Sequence, residues 1–410
     1  MDFPSDKIAQ RLGGKRFGTG TELYKFAKIK RAKDEATARR PDLPLIDMGV
    51  GEPDRPADPD VVRTLAAEAG QAHNRCYTDN GIAEFQEAAA RYLERIYGLE
   101  GLDPSTQILH GIGSKPVFAM LPLCFIDPGD VALCTTPGYP VTATHTKYLG
   151  GQVCDLPLRQ ENDFYPDLAA VPEDTLKRSK LLYINYPNNP TGQVATHQFF
   201  AEVVDFAHRH GVVVVSDAAY AALTFDGREP LSFLSVDGAM DVGIEVHSLS
   251  KAFNMTGWRL AFVAGNAGMV KAYGTVKDNT DSGQFAAVQK AGIYALEHPE
   301  ITQETSARYS RRFDLLIEAL GEVGFAAKKP GASFYCYVAC PTGTRSGVQF
   351  DSAEEVSEYL IKEALVSTVP WDDVGPFLRF SVTFAADGCE EEKEIISELK
   401  HRLLDLGLVF

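Results

Sequence analysis

The chain has 410 residues, of which 45% are apolar and 23% charged, the composition of a folded globular protein with room for two domains. Forty basic side chains stand against 56 acidic ones, and the resulting net charge of −16 repels phosphate backbones, which excludes nucleic acid as a natural partner. No apolar stretch reaches the about 18 residues needed to cross a bilayer, and MDFPSDKIAQRLGGKRFG at the start lacks the apolar core of a secretory signal. Seven cysteines (Cys76, Cys124, Cys134, Cys154, Cys336, Cys340 and Cys389) form no Cys-x-x-Cys pair, and nine histidines show no zinc spacing. A reduced cytoplasmic protein without a metal centre is expected.

Between about residues 45 and 265, short apolar runs alternate with helical patterns. LPLIDMGV comes first, then a helix near 83–97, QILHGI, a helix after 114, and DVALCTT. KLLYINY, a helix near 196–210, VVVVSD, IEVHS and RLAFVAG follow. Runs of this kind separated by helices predict right-handed βαβ units and a mainly parallel sheet covered on both faces. Helical patterns fill roughly 266–325. From about 330, FYCYVA and FLRFSV read as strands beside helices near 352–366 and 389–406, a smaller α+β unit. The predicted division is an N-terminal arm and part of the small domain over 1–45, a large α/β domain over 46–300, and a small α+β domain over 301–410.

Several motifs carry chemistry, each with a plainer alternative. Ser248-Leu-Ser-Lys251 matches the Ser-x-x-Lys of serine acyl-enzymes, but no Lys-Thr-Gly follows. The other chemistry open to Lys251 is an imine, since a lysine among apolar groups or beside another cation loses its proton easily. A solvated surface lysine is the plain reading. Asp217 ends the run VVVVSD, where open α/β sheets place ligand contacts; it could instead cap a helix. Tyr220 lies three residues on and could share that ligand or sit in the core. Gly111-Ile-Gly113-Ser114-Lys115 joins a strand to a helix and offers backbone N–H groups to an anion, as would an ordinary turn. Asn185-Tyr-Pro-Asn-Asn189-Pro-Thr-Gly192 is a rigid loop after a strand, and Pro137-Gly-Tyr139-Pro presents an aromatic face. Arg379 sits in the apolar FLRFSV; it suits a substrate carboxylate or an internal salt bridge.

The order of these pieces resembles the aspartate-aminotransferase family, fold type I enzymes that use pyridoxal phosphate. Within it, DMGVGEPD, NRCYTDNGIAEF, GIGSKP, NYPNNPTG, HSLSKAFNMTGWR and VPWDDVGPFLRFSVTF look most like the LL-diaminopimelate aminotransferases. The resemblance covers nearly the whole chain. It implies that Lys251 forms the imine with the cofactor and moves the substrate proton, while Asp217 pairs with the ring nitrogen. It implies that Tyr220 and Asn189 bond the ring oxygen, that Tyr139 stacks on the ring, and that Gly113, Ser114, Ser248, Ser250 and Arg259 hold the phosphate, beside Lys115. Arg379 then binds the substrate α-carboxylate with Gly51, and Tyr77 reaches the phosphate of the neighbouring subunit in a homodimer. Two places depart from the family. Only three residues separate Tyr77 from Gly81, where four are common, and Ser282 stands where Asn is usual.

The implied reaction is ping-pong transfer from LL-diaminopimelate to 2-oxoglutarate, giving tetrahydrodipicolinate after ring closure and glutamate. For the distal head of that substrate, Lys115 is the expected partner of the carboxylate and Asp79 or Glu52 of the ammonium, with Tyr24 closing the site. Other readings are an aminotransferase for aspartate, aromatic acids or alanine, and a pyridoxal-dependent β-lyase. The ligand-sensing part of a transcription regulator is a third, disfavoured by the acidic charge.

Overall fold

The computed structural model describes residues 7–18 and 25–410, so the expected contribution of Tyr24 lies outside the described residues. Helix α1 (Lys25–Arg39) leads to a seven-stranded sheet built from β1 (Ile108–Gly111), β2 (Val131–Thr136), β3 (Gln152–Pro157), β4 (Ser179–Asn185), β5 (Val213–Asp217), β6 (Gly243–Ser248) and β7 (Ala261–Gly265). The strand order is β1-β7-β6-β5-β4-β2-β3. β7 runs antiparallel to both neighbours, while the other adjacent pairs are parallel. The β-branched runs suit this position, buried on both faces. Leu182, Ile184, Val214, Phe262 and Ala264 enter one apolar cluster; Leu181, Tyr183, Val215, Ile244 and Val263 enter the other. That two-residue alternation decides which face each polar neighbour meets. Helices α2 (Ser114–Phe125) and α3 (His197–His210) belong to the covering layers; Thr196 caps α3 by accepting from Phe199 N.

Two sequence expectations change here. LPLIDMGV was expected among the strands of the large sheet, but only Ile46–Asp47 is extended. It pairs in parallel with Val366–Ser367, away from the seven strands. An apolar run cannot say which of two cores receives it. Conversely β3 was not expected, because an edge strand with a mostly exposed or half-buried face lacks the apolar run used to find strands.

The second core gathers Ile46, Met48, Tyr220, Phe334, Leu378, Phe380 and Leu399, among others. Its helices are α4 (Glu300–Val323) and α5 (Cys389–Asp405), and its sheet is antiparallel with order β9-β10-β8: β8 (Tyr335–Ala339), β9 (Val369–Trp371) and β10 (Phe377–Ser381). One buried cation ties it to the loop after Met48. Arg312 on α4, wholly buried, donates Nη2 to Asp54 at 3.1 Å and Nε to Glu392 at 2.9 Å; Nη1 donates to Val382 O and Phe384 O at 2.8 Å each. Ser381 N donates to Met48 O at 2.7 Å, so the 48–54 segment lies along the end of β10. No helix among the described residues is long and apolar enough to cross a membrane.

Candidate active site

The carboxyl ends of β4 and β5 meet at the opening between the two cores, as parallel sheets dictate for ligand sites. Register pairs Asn185 with Asp217, and both side chains share a face with Tyr183. Tyr183 Oη donates to Asp217 Oδ2 at 2.8 Å, and Ala219 N donates to Oδ1 at 3.1 Å. Burial pushes this carboxyl up to about 6, against the pull of those two hydrogen bonds. Among the described residues no cation forms a salt bridge with it. Asn185 donates Nδ2 to Asp217 O at 3.0 Å and accepts Asn189 N on Oδ1 at 2.8 Å, which seats Asn189 beside the strand ends.

β6 ends in Ser248, whose Oγ accepts Ser250 N at 3.2 Å and opens the single turn Leu249–Ala252. That turn delivers Lys251 to the opening. Its Nζ donates to Gly51 O at 2.7 Å. Burial holds the ammonium down at about 8, with Arg259 and Arg379 pushing the same way and Glu52 opposing them. The chain then turns back through Arg259, a non-glycine residue at φ 58° and ψ 54°. Arg259 Nη1 donates to Thr256 O at 2.8 Å, and the guanidinium lies against Gly113. A Cβ on Gly113 would collide with Arg259 Nη2 and stand 2.6 Å from its Cζ. Gly113 itself (φ 77°, ψ 156°) starts α2, so Ser114 and Lys115 open that helix, with Lys115 exposed.

Arg379 on β10 is 3% exposed, yet it meets no carboxylate among the described residues. Nη1 donates to Asn189 Oδ1 at 2.9 Å and Nη2 to Gly49 O at 3.2 Å; Nε has no partner among the described residues. The guanidinium lies 4.0 Å from the centre of the Tyr335 ring, and Tyr335 Oη is 3.3 Å from Tyr220 Oη. The internal salt bridge considered from sequence is therefore absent among the described residues. A cavity of about 510 Å³ opens beside these groups, lined by Lys251, Gly49, Gly51, Glu52, Thr256 and Lys33, among others.

Lys251, Asp217, Asn189, Tyr220, Arg259, Gly113, Gly51 and Arg379 are thus brought together through shared partners. Tyr139 is partly buried against the cluster that contains Tyr183. Tyr77 is 84% exposed on a loop held by its neighbours: Asp79 N donates to Ser282 O at 3.2 Å, and Lys277 Nζ donates to Asp79 O at 2.6 Å. Asp79 shares a different cavity, with Tyr77, whereas Glu52 lines the one at Lys251. Tyr183 and Tyr335 were not singled out from sequence. Reading KLLYINY at a two-residue period would have put Tyr183 on the face of Asn185. No comparable signal marked Tyr335.

Residues 44–395 match the model of the family "Aminotransferase class I and II". The chain is 56% identical over 411 residues, 98% of each chain, to an LL-diaminopimelate aminotransferase of Methanocaldococcus jannaschii. It is 54% identical over 98% of each chain to a protein of the same name from Methanococcus maripaludis. Among solved structures, the substrate-bound BacF of Bacillus subtilis superposes with a TM-score of 0.88 at 29% identity, covering 100% of this chain and 99% of that one. A probable N-succinyldiaminopimelate aminotransferase from Thermus thermophilus gives 0.82 at 30% identity, covering 92% of this chain and 100% of that one.

Proposed function

The chain belongs to the class I and II aminotransferases, a pyridoxal-phosphate-dependent family, and we propose that it moves an amino group from LL-diaminopimelate to 2-oxoglutarate with pyridoxal phosphate at the site above. The chemistry rests on one observation: neighbouring strands β5 and β6 end in the buried carboxylate Asp217 and in the turn that carries Lys251, an amine that burial holds at about 8. The substrate rests on the full-length likeness to the two LL-diaminopimelate aminotransferases.

The residues present fit the cofactor. Asp217 is a buried anion with no cation bonded to it among the described residues, which suits a protonated ring nitrogen. The close approach of Arg259 to Gly113 at the head of a helix suits a phosphate, with Ser114, Ser248 and Ser250 nearby in the chain. Bound there, pyridoxal phosphate would supply an aldehyde that captures an amine and a ring that withdraws electrons from Cα.

The protein's own part follows from the geometry. At neutral pH a useful fraction of Lys251 is uncharged, so its amine can capture an aldehyde and afterwards take the proton from the substrate Cα. Asp217 holds negative charge where the ring nitrogen must stay protonated. Arg379 spends Nη1 on Asn189 Oδ1, so Asn189 can offer only its amide hydrogens to the ring oxygen, together with the Tyr220 phenol. A substrate α-carboxylate would take the unused Nε and displace Gly49 O from Nη2, giving Arg379 a charge-assisted pair while Nη1 stays on Asn189. Tyr139, partly buried beside the cluster of Tyr183, would stack on the bound ring. The two half-reactions alternate at one site, which is ping-pong order. For the distal head, Lys115 takes the carboxylate, and Glu52 takes the ammonium in preference to Asp79, since it shares the cavity with Lys251. The exposed Tyr77 supports a homodimer in which it reaches the neighbour's phosphate. The amino-acid chemistry and seven free cysteines suit the cytoplasm.

A coupled assay for glutamate tests this, with LL-diaminopimelate beside aspartate, alanine, tyrosine and the meso isomer. No glutamate from the LL isomer overturns the substrate and leaves the cofactor chemistry standing. A borohydride-trapped pyridoxyl label on a lysine other than Lys251 overturns the site itself.

A further inference from the structure

Arg259 keeps a left-handed backbone that a side chain with a Cβ adopts only when its surroundings hold it there. The restraint is visible. Gln284 Nε2 donates to two successive carbonyls, Trp258 O at 2.7 Å and Arg259 O at 2.8 Å. Both amide hydrogens are then used, so Gln284 Oε1 must be the acceptor in its 2.9 Å contact with His110 Nε2. His110 thus carries its proton on Nε2, and burial keeps the ring neutral by lowering it to about 4. The main chain of Gln284 is fixed as well: its N–H donates to Thr78 Oγ1 at 3.2 Å, and its carbonyl accepts from Thr78 Oγ1 at 2.8 Å and from Gln289 Nε2 at 2.8 Å. No part of this side chain touches the cavity at Lys251, and its bonds end on the backbone of the residue whose guanidinium lies over Gly113.

We propose that Gln284 is a positioning residue for the phosphate site: its amide, oriented by His110, locks the turn at Trp258–Arg259 so that the Arg259 guanidinium is already aimed when the cofactor arrives. The inference rests on the reading that Arg259 takes the phosphate. Its energetic content is pre-organisation, an ordering cost met on folding and not on binding.

The test compares pyridoxal phosphate with pyridoxal, which lacks the phosphate, by absorbance titration of apo-protein. Gln284→Glu keeps the shape and the acceptor for His110 but turns both donors into an anion facing two carbonyls. The expected result is a loss of about tenfold or more in affinity for pyridoxal phosphate, with pyridoxal affinity nearly unchanged. Equal weakening of both ligands, or of neither, overturns the proposal. Gln284→Ala, which removes the donors without adding charge, gives the same comparison if the glutamate variant does not fold. Arg259→Ala run in parallel separates the two levels. If it keeps the wild-type preference for the phosphorylated ligand, the reading of Arg259 fails and takes the proposal with it. If it loses that preference while the Gln284 variants retain it, only the proposal fails.

Discussion

Gly113→Ala is the sharpest single probe of the phosphate site. The glycine sits at φ 77° and ψ 156°, a region open almost only to glycine, so any side chain there costs about 1–3 kcal/mol of stability. The added Cβ would also collide with Arg259 Nη2 and stand 2.6 Å from its Cζ. Those atoms end a flexible side chain and can withdraw at small cost to the fold. Withdrawal removes the cation from its place, and a lost charge-assisted hydrogen bond is worth about 1.5–3 kcal/mol, or roughly a 10- to 150-fold weaker hold on pyridoxal phosphate. The variant is expected to fold with a modest drop in Tm and to bind the cofactor much more weakly. Gly101→Ala is the control, because Gly101 has φ 74° but nothing within 4 Å of the added atom. It should lose some stability and no cofactor affinity. Apo-protein titrated by absorbance, with thermal unfolding alongside, reads both effects. Unchanged affinity in Gly113→Ala would refute the assignment of this turn to the phosphate.

Two further outcomes follow from the charges. Capture of pyridoxal phosphate by apo-protein needs neutral Lys251, so its rate should rise through about pH 8 and level off above it; stopped-flow absorbance showing an inflection near the free-lysine range would contradict the burial argument. Because the folded value lies below the unfolded one (about 10.4), folding expels a proton between the two, and this group's contribution to apo-protein stability rises with pH across that window. Arg312→Met should cost about 3–5 kcal/mol, since it takes the buried cation from between Asp54 and Glu392 and leaves Val382 O and Phe384 O without their donor, although Arg311 stays on Glu392. Arg311→Met, whose side chain is 43% exposed, should cost clearly less in urea denaturation, and equal losses would sink the distinction.

The sequence signals that worked were those carried by neighbours in the chain. VVVVSD announced a buried parallel strand, and the charge at its end was legible as a candidate because the fold class says where such ends open. Lys251 and Arg259 were legible as a candidate pair because both lie in the short connection between β6 and β7. Chain proximity says nothing about which distant segment completes a contact. The partner of Ile46 is Val366, and the aromatic face under Arg379 is Tyr335, two strand positions from its direct register partner Tyr337. Gln284 was unreadable for the same reason, since its bonds reach the backbone of Trp258 and Arg259 and the ring of His110. An amide in a loop advertises nothing until the strands on either side are in place.

The cations of the site show why distance in the chain matters to the chemistry. In a protein of net charge −16, Lys251, Arg259 and Arg379 could each have been neutralised by one of 56 acidic side chains. Arg312 is treated that way, with two carboxylates and two carbonyls, and it is structural. Arg379, also buried, receives an amide oxygen and a carbonyl instead, and one of its donors has no partner among the described residues. A carboxylate partner would have to be expelled before a substrate carboxylate could enter, at the cost of a charge-assisted pair. Neutral acceptors give way for about half as much, because a hydrogen bond to an uncharged group is roughly half as strong. Lys251 likewise bonds a carbonyl, Gly51 O, and so can release its proton without leaving a bound carboxylate unpaired. Partner type, more than burial, separates the arginine that holds the fold from the one proposed to receive the substrate.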